Sequence, residues 1–249
     1  MAVAGCSGTA GPAPAPNAAT PTHSASPVPD PRPVSIPAAL AGKDIERLPT
    51  KEKVVALTFD AGANADAVPS ILATLARERI TATFFLTGDF VTRFPGPAKQ
   101  IVAAGHRIGN HSATHPAFAG LTPAVIRHEV LDAAQSILTV TGADPRPLFR
   151  FPYGSKDAPA LTEINTLGYV AVRWTVDSLG WQGTMNGTRG PDFTAARVLA
   201  AATPGEIVLM HVGSHPTDHS TLDAQALPAV ITGLRQDGYG FTTLRTLLS

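Results

Sequence analysis

Between Lys51 and the C-terminus, strand-length apolar runs alternate again and again with segments of helical periodicity. "VVALTF", starting at Val54, precedes "AVPSILATLARERI", in which Val68, Ile71, Leu72 and Leu75 recur at helical spacing. "TATFFLTG" (81–88) reads as a second strand, and "AKQIVAAG" (98–105) as a helix ended by its glycine. "HRIGNH" is a short strand and loop. "TPAVIRHEVLDAAQSILTVTG" is a long amphipathic helix with Thr122 as N-cap and Gly142 as its stop. The alternation then continues through "LFRF", "ALTEINTLG", "YVAVRWTV", "FTAARVLAAATP", "EIVLMH", "TLDAQALPAVITGLRQDG" and "GFTTL". A run such as Val54-Val55-Ala56-Leu57 has no polar side, so it suits a strand covered on both faces. Such repetition demands a largely parallel sheet, and this many units in about 200 residues favour an α/β barrel. No internal repeat stands out.

The first 40 residues are of another kind. Nine of the chain's 23 prolines lie before Ala38, in a stretch dominated by Ala, Ser, Thr and Pro. Such a segment buries too little to offset its ordering entropy, so residues 1–40 are expected to be a disordered linker and 41–249 the folded domain. "VAGCSG" around Cys6 resembles the lipobox of bacterial lipoproteins, although only five residues precede the cysteine. The alternative is an accidental small-residue run with a free thiol. A lipidated Cys6 followed by a Pro-rich spacer predicts an extracytoplasmic domain, membrane-anchored or secreted. Nineteen basic and nineteen acidic side chains cancel, and no basic stripe interleaves with aromatics, so nucleic acid is not an expected partner. No run of 18 apolar residues occurs in the chain as given.

Chemically capable residues collect at the predicted strand ends, where α/β proteins bind their ligands. Asp60 ends the first strand. His111 and His115 in "HSATH" stand at i and i+4, so on one helical turn their rings share a face and can grip one metal ion. Arg150, Pro152 and Tyr153 follow a strand in "RFPY", Asp177 and Trp181 occur in "DSLGW", and His211 closes "LMH". Singly, each has an ordinary explanation: a helix cap for Asp60, surface decoration for the histidine pair, core packing for Trp181. Together, at successive strand ends, they are hard to obtain from packing alone.

In this order, "TFDAG … HSATH … RFPY … DSLGW … LMH" resembles the five motifs of the polysaccharide deacetylases, the NodB-homology domains of carbohydrate esterase family 4. The resemblance covers about Lys51 to Leu248. It implies a distorted, incomplete (β/α) barrel and metal-dependent hydrolysis of acetyl groups on sugars, usually the N-acetyl of an amino sugar. By that resemblance His111 and His115 hold a divalent ion, zinc first, and Asp60 is the general base. Arg150 tunes Asp60, the backbone N–H of Tyr153 after Pro152 stabilises the oxyanion, and His211 is the general acid. Trp181 and Leu209 wall the acetyl pocket.

Two departures stand out. The family's first motif usually reads T-F-D-D-G, its second aspartate being the third metal ligand, and here Ala61 stands in that place. Three readings compete: Asp66, or failing it Asn64, is the substitute; the site runs on two histidines and water; or catalysis is lost. Gly180 likewise replaces an aspartate that many relatives carry before the tryptophan, which leaves Asp177 to orient His211 or to pair with Arg150. His106, His128, His215, His219, Asp218 and Asp223 read as surface, loop or helix-cap residues. The leading expectation is N-deacetylation of a cell-envelope polysaccharide, peptidoglycan first. The alternatives are a catalytically impaired glycan-binding domain and an O-acetyl esterase on xylan-like polymers.

Overall fold

A computed structural model describes residues 1–2 and 36–248. Cys6 and most of the expected linker, residues 3–35, lie outside the described residues, whereas Leu40, at its expected end, is already buried against the domain with Ile36 packed beside it. In chain order the elements are β1 (Asp44–Ile45), β2 (Val54–Ala61), α1 (Val68–Glu78), β3 (Thr83–Leu86), α2 (Gly88–Arg93), α3 (Pro95–Ala103) and β4 (Arg107–Asn110). They continue with α4 (Pro123–Thr141), β5 (Leu148–Phe149), α5 (Ala158–Thr166), β6 (Val170–Val172), β7 (Val176–Asp177), α6 (Pro191–Ala200), β8 (Glu206–His211), α7 (Leu222–Gln236) and β9 (Gly240–Thr242). Short 3₁₀ turns lie at Pro152–Gly154, Gly180–Gln182 and Leu244–Leu247.

The strands form one sheet in the order β1-β6-β5-β4-β3-β2-β8-β7, with β9 also on β2, and every pair of named strands is parallel. β6 and β7 lie towards opposite ends of this order, yet only Arg173, Trp174 and Thr175 separate them. Three residues span no more than about 10–14 Å, so the two edges must approach each other and the sheet curls into an incomplete barrel. The linking residues bond to both sides of the gap: Arg173 N–H donates to the Ile45 carbonyl and Thr175 N–H to that of Ile207, each at 2.8 Å. "YVAVRWTV", expected as one strand, is therefore two.

Along β2 the side chains part by pleat. Val55, Leu57, Phe59 and Ala61 join the apolar layer beneath the helices, while Ala56 belongs to a second cluster with Phe85, Val170 and Ile207. Thr58 and Asp60 share the parity of Ala56 and carry polar groups into the upper interior. α4 starts and stops as its sequence predicts: Thr122 accepts a hydrogen bond from Val125 N–H, and Gly142 ends the helix at φ 73°. The segment after β3, expected as strand up to Gly88, instead turns into α2 because the Thr87 hydroxyl accepts the Phe90 N–H at 3.0 Å.

Glu206 opens β8 fully buried, and neither carboxylate oxygen has a hydrogen-bond partner. Burial pushes its pKa up to about 7. The folded state thus holds this proton more tightly than the unfolded chain. That stabilisation is complete below the unfolded pKa and is lost as pH rises through the folded one. Glu206→Gln should remove this pH dependence. Relative to the variant, the parent protein is expected to lose about 2–3 kcal/mol between pH 4 and pH 8, read from denaturant midpoints.

Candidate active site

β2 and β8 lie side by side with Asp60 and His211 in register, which sets a carboxylate next to an imidazole at the mouth of the barrel. Arg150, just after β5, is wholly buried beneath them. Its Nη1 donates to Asp60 Oδ1 at 2.7 Å, and its Nη2 to Thr58 Oγ1 at 2.9 Å and to the Arg173 carbonyl at 3.0 Å. Nε donates to the Val172 carbonyl at 3.2 Å, and the guanidinium lies 4.1 Å from the centre of the Phe85 ring. Burial alone would raise the pKa of Asp60, but Arg150, His111 and His211 together hold it below the ordinary carboxylate value. His211 goes the other way. Burial would lower its pKa, but Asp223, with Asp60 and Asp177 behind it, raises it. Neighbouring groups thus favour an ionised carboxylate beside a protonated imidazole, the division of labour of a base and an acid.

His111 and His115 meet, but not on a helix. Ser112 and His115 take φ of 69° and 66°, so the chain coils into a tight loop after β4. Asn110 Oδ1 accepts from Ser112 N–H at 2.9 Å, and Ser112 Oγ from His115 N–H at 3.0 Å. Glu129 of α4 braces the loop by accepting from the N–H groups of Ala113 and Thr114 and from the Thr114 hydroxyl. The two Nε2 atoms come within 3.1 Å, and His111 Nε2 lies 3.3 Å from Asp60 Oδ2. His111 Nδ1 sits 2.8 Å from the Arg150 carbonyl, a pure acceptor, so Nδ1 carries the proton and Nε2 its lone pair. Burial lowers the pKa of both rings, that of His115 to about 4. Two neutral imidazoles converging at this distance fit two ligands of one divalent ion. Among the described residues, no group of three or more His, Cys, Asp or Glu is arranged to hold a metal. Ala61 contributes nothing polar.

Around this floor opens a cleft of about 680 Å³, with Tyr153, Trp181 and Leu209 in its walls. Tyr153 takes φ 58°, an unfavourable conformation for a tyrosine. Its turn is closed by the N–H groups of Gly154 and Ser155. The Tyr153 ring lies edge-on to His115, with centroids 4.6 Å apart, and is largely exposed.

A family model described as polysaccharide deacetylase matches residues 47–172. The chain belongs to this family. It is 34% identical over 199 residues to the peptidoglycan-N-acetylmuramic acid deacetylase PdaA of Bacillus subtilis, covering 80% of this chain and 73% of that protein. To a chitooligosaccharide deacetylase of Bradyrhizobium it is 37% identical over 194 residues, 74% of this chain and 86% of the other. Among solved structures, a carbohydrate esterase family 4 pseudoenzyme from Bacillus anthracis superposes with a TM-score of 0.76 at 30% identity, over 84% of this chain and 70% of that one. The curled, mostly parallel sheet with flanking helices is the fold of these polysaccharide deacetylases, as expected from the motifs.

Several residues singled out in this deacetylase's sequence lie elsewhere than expected. Asp66 is exposed, and its Oδ2 accepts from Ser214 Oγ at 2.5 Å. Asn64 is spent on the same loop, accepting from Ser214 N–H and donating to its carbonyl. Neither is brought to the histidines, because the loop after β2 is fastened to the one after β8. Asp177 does not bond to His211 or Arg150. It accepts from Leu179 N–H and from Trp181 Nε1, and so holds the tryptophan at the cleft. The carboxylate beside His211 is Asp223, which its sequence setting presents as a helix-cap residue. Its Oδ2 accepts from His211 N–H at 2.8 Å and lies 3.4 Å from His211 Nδ1.

Proposed function

We propose that residues 41–249 form a catalytic domain that hydrolyses N-acetyl groups on the amino sugars of a cell-envelope polysaccharide, with peptidoglycan the first candidate. The reading rests on one observation above the rest: Asp60 and His211 face one cleft from adjacent strands, and their surroundings push their charge states apart. Asp60, kept ionised by Arg150, takes a proton from the attacking water. His211 delivers its proton to the departing nitrogen. The N–H of Tyr153, unused in closing its own turn, is available to the oxygen on which charge develops. A divalent ion held by His111 and His115, zinc by the nature of these donors, would supply Lewis acidity and a lowered water pKa. Trp181 and Leu209 exclude water around the acetyl methyl. Peptidoglycan and chitooligosaccharides are the substrates named for the relatives, and they support the substrate class. An extracytoplasmic, lipid-anchored location is part of the same proposal, on the strength of "VAGCSG" and the Pro-rich stretch.

The test is acetate release from purified peptidoglycan by metal-stripped protein before and after zinc is restored. Release that depends on the metal supports the proposal. No release with metal bound, on peptidoglycan and on chitooligosaccharides alike, overturns it. A second reading, a glycan-binding domain without turnover, is favoured by Ala61 and by the likeness to a pseudoenzyme, a mutant of which is described as having restored activity.

Ala61 yields a further prediction. Ala61→Asp should tighten zinc binding by about tenfold or more, since three-ligand sites outbind two-ligand ones, provided that the end of β2 turns the new carboxylate out of the apolar layer Ala61 now joins and towards the histidines; unchanged affinity would mean that it stays there. Asp66→Ala should leave affinity unchanged, because Asp66 is held by Ser214. Competition against a chromophoric chelator measures both.

A further inference from the structure

His211 is held by a carboxylate from a different element of the fold. We propose that Asp223, delivered by the first turn of α7 into the space left by Gly180, is the residue that positions His211 as the acid. The inference rests on the deacetylase reading above. Asp223 is buried, and both of its oxygens are engaged. Oδ1 accepts from Ser178 Oγ at 2.6 Å, and Ser178 Oγ in turn accepts from Gly180 N–H at 3.3 Å. Oδ2 takes the His211 N–H and faces Nδ1 of the same ring. One carboxylate thus fixes both the backbone and the ring of His211, leaving Nε2 for the cleft. The N-terminus of a 15-residue helix is a favourable place for that negative charge.

The space is specific. A β-carbon added at Gly180 would stand 2.3 Å from Asp223 Oδ1 and 2.5 Å from Cγ. Any side chain at position 180 would therefore displace the carboxylate. Glycine here is not required by its backbone angles, since its φ is not among the positive values. It is required by Asp223. A carboxylate borne on residue 180 would reach the same region, so positions 180 and 223 are alternatives for one charge.

Asp223→Asn keeps the shape and removes the charge. It should lower kcat for acetate release by about tenfold or more, short of the ~10²–10⁴-fold that loss of an acid costs, with KM little changed. The His211 imidazole resonance should titrate at lower pH, and the alkaline limb of the kcat profile should move down with it. Asp60 of β2, Asp177 of β7 and the two histidines of the β4 loop also act on this ring and are untouched by the substitution. Gly180→Ala should impair folding or activity in the parent protein and be tolerated when Asp223 is also alanine. Gly180→Asp combined with Asp223→Ala should recover activity lost in Asp223→Ala alone. An unchanged His211 titration in folded Asp223→Asn, or no recovery in a folded double variant, overturns the proposal. The imidazole titration needs no turnover, so a parent protein that releases no acetate counts against the deacetylase reading and leaves this test standing.

Discussion

Asp60→Asn is expected to lower kcat for acetate release by about 10²–10⁴-fold, the range for removing a general base, with KM nearly unchanged. The amide matches the carboxylate in shape, and its oxygen can still accept from Arg150 Nη1. What disappears is the ability to take a proton from water, a property needed only in the transition state. The pH profile follows from the two surroundings. In the proposed mechanism turnover requires Asp60 ionised, which holds at every pH above its lowered pKa, and His211 protonated, which holds below its raised one. The neighbouring charges therefore widen the active window at both ends. In Asp60→Asn the alkaline limb should move down, because one of the charges that raise the pKa of His211 has gone. A rate loss without that shift would mean that Asp60 and His211 do not share the site electrostatically.

The strand ends were legible because parallel strands covered on both faces are nearly pure apolar runs, and a charged residue ending such a run marks the open rim of the barrel. Asp60, Arg150 and His211 stand out for this reason. His111 and His115 stand out by type and spacing, although the spacing suggests a helix. The positive φ values at Ser112 and His115 are imposed by Asn110 and Glu129, partners that no local pattern reveals. The break inside "YVAVRWTV" was equally hidden. Arg173, Trp174 and Thr175 are acceptable strand residues, and only closure of the sheet lifts them out of it. Asp223 was missed because an aspartate opening a helix looks the same whether it neutralises a dipole or holds a histidine. The usable signal was Gly180, a missing side chain beside a motif tryptophan, which points to a neighbour filling the space. Asp66 failed for the complementary reason: nearness in sequence to Asp60 says nothing about the loop after β8 that captures it.

Arg150→Met is expected to cost about 3–5 kcal/mol of stability, the usual penalty for leaving one member of a buried ion pair behind. For a domain of this size that corresponds to a fall in Tm of roughly 6–20 °C. The residue is wholly buried and donates to four acceptors: the Asp60 carboxylate, the Thr58 hydroxyl and the carbonyls of Val172 and Arg173. Methionine fills a similar volume against Phe85 but satisfies none of them. The two carbonyls flank the join between β6 and β7, so the loss should concentrate there. Amide exchange and limited proteolysis around Arg173–Thr175 should rise before the rest of the sheet opens. Catalysis suffers by a separate route. Without the guanidinium, the strongest influence holding the Asp60 pKa down is gone and burial pushes it up, so a larger share of the base is protonated at a given pH. As pH increases, folded Arg150→Met should regain activity over a range in which the parent protein is flat. Combining Arg150→Met with Asp60→Asn separates the two effects, because the double variant strands no buried charge. Its stability should exceed the additive expectation from the single variants by about 1–3 kcal/mol. Strict additivity would mean that the 2.7 Å contact between Arg150 and Asp60 contributes nothing to the fold.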